Sequence, residues 1–254
     1  MKYFKLFIDR FDPVTKKFNG AAIYHFSPDK VDLEIKKNAR AGIYTDPSYP
    51  EGFSFDYLQV DETTYRFKNW KLNDVIGADV SLNGSTGFAL TLKLKTILEQ
   101  FNLATHRFYE AKLKAKKVFY TYNVVQFLED SYLEYCDYSK FTFIEVNANY
   151  NPIPNSKEYH FNNDAEVSEE QSKLSKNILQ LREEAIHPYI NLEHMPTYIS
   201  VKKVVFKLKG AEIDFMRHGR IGWLVSERLA EALIENKITG IKLEELTDIE
   251  FVVE

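Results

Sequence analysis

Short apolar runs rich in β-branched and aromatic residues occur at Tyr3–Ile8, where they alternate, at Ala21–Phe26, Phe53–Val60 and Thr64–Phe67, and again at Val118–Val125, Lys140–Asn149, Ile199–Lys209 and Asp248–Glu254. Such runs predict strands, whose successive side chains point to opposite faces. Turn formers lie between or near the first four: Asp12-Pro13, Asn19-Gly20, Ser27-Pro28, Asp46-Pro47 and Tyr49-Pro50. Helical spacing occurs at Leu174, Ile178, Leu181 and Ala185. Ser168 with Gln171 reads as the capping box of that helix, which ends near His187-Pro188. Gln126–Tyr138 reads as an amphipathic helix, and Trp70–Leu82 fits neither period.

One pattern occurs twice. Gly222–Leu246 aligns without a gap on Gly87–Ala111, so Trp223 meets Phe88, Ser226 meets Thr91, Arg228 meets Lys93, Leu229 meets Leu94 and Ile238 meets Leu103. Each copy reads glycine, aromatic, two apolar residues, hydroxyl, helix, apolar stop, strand. Ser226 and Thr91 suit an N-cap, where a side-chain oxygen accepts an unpaired amide of the first turn. Thr239-Gly240 can turn the chain before Ile241, Leu243 and Leu246. The expected fold is α+β, with mostly antiparallel sheet and two related helix–strand units. The division is one unit over 1–254, with two lobes, 1–125 and 126–254, as the alternative.

Composition narrows the class. With 16 Tyr and 19 Phe in 254 residues, the chain has the aromatic content for a packed core. A single cysteine, Cys136, excludes an internal disulfide and agrees with a reducing cytoplasm. MKYFKLFIDRF alternates as a strand and lacks the form of a secretory leader, and no apolar run is long enough to span a membrane. The net charge of −4 is uneven: Asn123–Pro196 holds 13 Asp and Glu against 5 Lys and Arg. That balance argues against nucleic acid and suits a basic protein partner.

Within the acidic region, Glu129, Asp130, Glu134 and Asp137 are interleaved with Tyr132, Tyr135 and Tyr138. Tyrosines make rigid anchors and carboxylates steer a basic partner, so these seven are the candidate contact residues. The competing reading is a helix with aromatics in the core and acids in water. Lys112–Lys117, KLKAKK, reads as a solvated stem rather than a phosphate site. No phosphate loop, dinucleotide fingerprint or nucleophile elbow occurs, and His187 and His194 lack metal-ligand spacing. No catalytic, cofactor-binding or metal-binding residue is therefore assigned.

The block Leu224-Val225-Ser226-Glu227-Arg228-Leu229, with Ala232-Leu233 and Ile238-Thr239-Gly240-Ile241, resembles the C-terminal signature of a bacterial immunity-protein family of polymorphic toxin systems. This is the "immunity protein eleven" group, formerly a domain of unknown function. The first copy, with Trp70–Asp74 before it and His106-Arg107-Phe108-Tyr109 after it, resembles that family's central region, although Thr91-Leu92-Lys93 stands where the signature has Ser-Glu-Arg. The resemblance implies a cytoplasmic, non-enzymatic protein that binds and occludes a cognate toxin, and it assigns no catalytic residues. The other readings are a scaffold module with a different partner and an enzyme without a recognisable motif.

Overall fold

The computed structural model describes residues 2–8, 11–12, 17–18, 23–25, 31–60, 71–78, 82–83, 85–128, 131–184 and 195–254. The fold is α+β with mostly antiparallel pairing, and it divides into two compact units. The larger unit is Lys2–Tyr132 with Glu212–Glu245, and the smaller is Leu133–Ala211 with Leu246–Glu254. The expected strand Thr64–Phe67 lies outside the described residues.

The larger unit begins with β1 (Tyr3–Ile8), a short hairpin β2 (Phe11–Asp12) and β3 (Lys17–Phe18), and β4 (Ile23–His25). Helix α1 (Val31–Arg40) follows, which the alternating pattern does not announce. Then come β5 (Phe55–Val60), β6 (Val75–Gly77), β7 (Thr86–Leu90), α2 (Leu92–Leu98), β8 (His106–Ala115) and β9 (Val118–Phe127). Helix α3 (Ser131–Tyr135) starts in the larger unit and ends in the smaller, which supplies β10 (Thr142–Val146), β11 (Glu158–Tyr159), α4 (Asp164–Glu184) and β12 (Tyr198–Phe206). The chain returns to the larger unit with β13 (Phe215–His218), β14 (Gly222–Ser226), α5 (Glu227–Glu235) and β15 (Ile241–Glu245), and ends with β16 (Glu250–Val253) in the smaller.

In the smaller unit the sheet order is β11-β10-β12-β16, antiparallel except for the parallel pair β12–β16. Helix α4 packs on β12 and buries Val167, Leu174 and Ile178. Its start differs from the expectation. Asn163 Oδ1 accepts the Glu166 amide (3.1 Å), and Glu166 Oε2 accepts the Asn162 amide (2.9 Å), so the reciprocal box sits at Asn162–Glu166. Ser168 lies inside the helix and donates to Asp164 O. Gln171 instead reaches out of the helix. Its side-chain amide donates to Thr197 O (2.9 Å) and its Oε1 accepts the Ile199 amide (2.8 Å). That clamp fixes the helix to the first residues of β12. The expected end at Ala185 and His187 lies outside the described residues.

The two sequence copies fold alike, and each contains more than the repeat itself. In the first, hairpin β6–β7 leads through α2 to β8, and β9 lies between β7 and β8, antiparallel to both. In the second, hairpin β13–β14 leads through α5 to β15, and the strand between β14 and β15 is β1, from the other end of the sequence. Register confirms the match. Phe88 and Phe108 both pair with Val125, while their counterparts Trp223 and Leu243 both pair with Leu6. The N-terminal strand thus fills in the second module the place that β9 fills in the first. β1 does not keep one wet face: Tyr3 and Leu6 are buried and Phe4, Lys5, Phe7 and Ile8 are half-buried.

Between the modules the apolar contact is aromatic. Phe88 meets Trp223 edge-on at 5.3 Å, and Phe127 lies 4.8 Å from Phe215. Two aspartates frame it. Asp74, just before β6, accepts from Thr91 Oγ1 (2.9 Å), the cap of its own module's helix, and from Thr239 N and Oγ1 (both 3.0 Å), in the turn after the other helix. Asp214, just before β13, accepts from Ser226 Oγ (2.6 Å), the cap of its own helix, and from Asn102 N (2.9 Å), in the turn after the other helix. The cap hydroxyls also accept helix amides, Thr91 from Leu94 N and Ser226 from Leu229 N. Lys93 and Arg228 continue the exchange: Lys93 Nζ donates to Asn236 O at the end of α5 (2.6 Å), and Arg228 lies over the Phe101 ring just beyond α2. Each module therefore ends the other's helix, as the halves of a symmetric dimer do.

Gly240 makes the close approach possible. Its φ is +85°, and a Cβ there would sit 2.3 Å from Val75 O. Gly42, at φ +71°, has open space instead. Gly240→Ala is expected to lower unfolding free energy by about 2–4 kcal/mol, and Gly42→Ala by about 1 kcal/mol, in urea titrations. Asp214 is 3% exposed, whereas the Arg228 side chain is 64% exposed. Asp214→Ala removes a buried carboxylate shared by three part-buried donors, Asn102 N, Ser226 Oγ and Arg228 Nε, and should lower stability by about 2–4 kcal/mol. Arg228→Ala removes one solvated ion and should lower it by about 1 kcal/mol or less. Equal losses for the two would contradict the assignment of Asp214 as the shared acceptor.

Candidate partner-binding surface

The polar residues of the repeat are taken up by structure. Burial pushes the Asp214 carboxyl up, but hydrogen bonds from Arg228, Ser226 and Asn102 N outweigh it and hold it below the usual carboxylate range. Ser226, the hydroxyl of the signature, donates to a carboxylate and accepts a helix amide. It is a cap, and Asp214 is its anchor.

His106-Arg107-Phe108-Tyr109 lies at the start of β8 and splits between two faces. His106 and Phe108 contact each other, and His106 also meets Phe127. His106 Nδ1 donates to Ala104 O (2.9 Å). Arg107 and Tyr109 turn to the loop before β5: Arg107 Nη1 (3.3 Å) and Tyr109 Oη (3.1 Å) both donate to Tyr49 O. That loop is pinned further by Asn83, which donates to Tyr44 O and Asp46 O, and by buried Gln126, which donates to Pro47 O. An open groove of about 740 Å³ runs between Glu51–Ser54 and Arg107–Glu110. Among the described residues it offers one guanidinium, two carboxylates and aromatic edges, with Ser54 and Tyr109 as hydroxyls. Such a set can recognise a ligand. Among the described residues no three His, Cys, Asp or Glu side chains gather as a metal site.

The acidic, tyrosine-rich segment lies in two parts. Glu129 and Asp130 are outside the described residues, as is the side chain of Tyr132. Of the helix expected over Gln126–Tyr138, the described residues show α3 (Ser131–Tyr135), while Gln126 and Phe127 belong to β9. From Leu133 onward the segment is stitched to the end of β12. Cys136 bridges Phe206, the Asp137 amide donates to Val205 O (2.8 Å), and the Lys207 amide donates to Tyr135 O (2.9 Å). Lys207 Nζ donates to Leu133 O (2.8 Å). Gly210 is required here, since a Cβ would lie 2.1 Å from Tyr135 O.

This docking sorts the candidate residues. Tyr138 is buried, stacked on Phe141, and donates to Asp164 Oδ1 (3.1 Å). Glu134 pairs with Lys209 (2.8 Å), whose ammonium also lies over the Tyr135 ring. Asp137 accepts from Ser139 Oγ and faces Lys140, which hold its carboxyl below the usual range. Glu134, Tyr135 and Asp137 therefore remain near the surface with partners of their own. Two residues join them unforeseen: Leu133 is 40% exposed and Leu208 78% exposed. The alternating pattern over Ile199–Lys209 places Leu208 as the last apolar position of a strand. In the structure β12 stops at Phe206, and a 3-10 turn over Leu208–Glu212 turns the residue outward. Leu133, Glu134, Tyr135, Leu208 and Lys209 thus form apolar anchors around an ion pair and a half-buried ring, the mix that protein interfaces use.

Compared with family models, curated proteins and solved structures, the chain finds no match.

Two outcomes follow for reactivity and pH. Burial pushes the Cys136 thiol up to about 12, against a smaller lowering by Lys207. Native protein should resist iodoacetamide at mildly alkaline pH and become alkylated only after unfolding in denaturant; alkylation of the folded protein would contradict the burial. Burial also lowers the pKa of His106, partly offset by its bond to Ala104 O. Stability from neutral His106 is then fully present above its unfolded value, about 6.5, and is lost as pH falls below it toward the folded value. Urea midpoints should fall below about pH 6.5, and His106→Gln should flatten that slope.

Proposed function

We propose that this protein acts by binding another protein and covering its working surface, as the immunity-family resemblance of Leu224–Leu229 and Ile238–Ile241 implies. On this reading it is a cytoplasmic immunity protein whose partner is a toxin with a basic surface. The observation that carries the binding role is the Leu133–Tyr135 and Leu208–Lys209 surface, where two exposed leucines flank the Glu134–Lys209 pair. An apolar anchor beside charges in their own pairs gives area and orientation without a buried lone charge. A stable complex would cover roughly 1,600 Å² in total, much more than these five residues. The acidic residues before them, Glu129 and Asp130, extend the same stretch of sequence toward a basic partner. The repeat then serves as the frame.

The test is co-expression with the gene that neighbours this one, scoring bacterial growth. Wild-type protein should restore growth and co-purify with the neighbour's product. Leu208→Asp and Tyr135→Ala should each weaken that complex by about tenfold or more while leaving the urea midpoint unchanged. Growth failure with wild-type protein would reject the immunity role. Full protection by both variants would reject this surface.

A further inference from the structure

The β8–β9 ribbon carries a second surface, independent of the reading above. β9 pairs with β8 along its whole length, but with β7 only from Leu90↔Asn123 to Thr86↔Phe127. Among the described residues, Val118–Tyr122 therefore has one open strand edge. Val118, Phe119 and Tyr120 are 52%, 55% and 40% exposed, and Thr121 is exposed as well. An open edge of β-branched and aromatic residues is a template for another strand, and lysines are the usual guard against unwanted pairing.

Lysines stand here in number. Lys114 is the partner of Phe119 and Lys112 of Thr121, so these side chains share a face of the ribbon. Lys116, at φ +55°, and Lys117 form the turn. All four are exposed, and Asp56 lies 3.5 Å from Lys112. Cations so placed repel a basic strand and attract an acidic one, which makes the edge selective rather than closed.

We propose that Val118–Thr121 docks an extended acidic segment of another protein as an added antiparallel or parallel strand. Main-chain hydrogen bonds to β9 supply affinity. Phe119 and Tyr120, on opposite faces, receive alternate side chains of the guest, while Lys117 at the turn and Lys114 across the ribbon supply the positive field that draws its carboxylates. Single-stranded nucleic acid would also meet cations and aromatic rings, but it would leave the strand edge unpaired.

The test titrates four probes into isotope-labelled full-length protein, followed by amide chemical shifts. They are a peptide of alternating Glu and Val, its backbone N-methylated twin, a peptide of alternating Lys and Val, and oligothymidylate. The Glu–Val peptide should bind and shift the Val118–Thr121 amides, and the N-methylated and Lys–Val peptides should not. Lys114→Glu with Lys117→Glu should weaken binding by about tenfold or more, with an unchanged urea midpoint. No binding of the Glu–Val peptide, shifts confined to other residues, or equal binding of its N-methylated twin would overturn the proposal. Tighter binding of oligothymidylate would overturn it in favour of nucleic acid.

Discussion

Two carboxylates placed before two hairpins hold the larger unit together. Asp74 and Asp214 each take a cap hydroxyl from their own module and a backbone amide from the turn that ends the other module's helix. A helix end leaves unpaired groups, and a buried turn leaves more. The exchange satisfies both sets at once, and it does so only when the modules face each other. The aromatic contacts of Phe88, Phe127, Phe215 and Trp223 lie within that frame. Packing gives the contact its area, while the carboxylates fix its register.

The same constraint explains the chain's path. β1 completes the second module by pairing with β14 and β15, so that module joins residues more than two hundred positions apart. The smaller unit is inserted between β9 and β13 and takes the last strand as well. Ser226 and Asp214 are committed to capping and bracing. The exposed leucines of the smaller unit and the open edge of β9 carry no such duty, which is why binding is sought there.

Much of this architecture is legible in the sequence, for physical reasons. Thr91 and Ser226 stand directly before leucine stripes, and local capping decides their role. Tyr3–Ile8 and Val118–Val125 are strands as the sequence suggests, because β-branched and aromatic residues favour the extended chain locally, although neither buries alternate residues. What stays hidden is long-range or degenerate. Nothing in the sequence marks Asp74 or Asp214 among 37 acidic residues, because their distinction is the partner brought from over a hundred residues away. Ser168-Gln171 matches a cap as well as Asn162–Glu166 does, and the need to hold Thr197 and Ile199 decides between them. Leu208 looks like core, since a strand pattern does not say where the strand stops. Of the surface, the acids and tyrosines are visible, but their lysine partners and the burial of Tyr138 are not.

Amide hydrogen exchange at Asn102 and Thr239 tests the reciprocal bracing most directly. Both amides sit in turns after helices, where exchange is ordinarily fast, yet both donate to an aspartate of the opposite module. The account predicts protection within about tenfold of the β1 and β9 amides, with Asp214→Ala releasing Asn102 further than the general loss of protection it causes at Thr239. Exchange of both amides at the rate of open surface turns in the wild-type protein would contradict it.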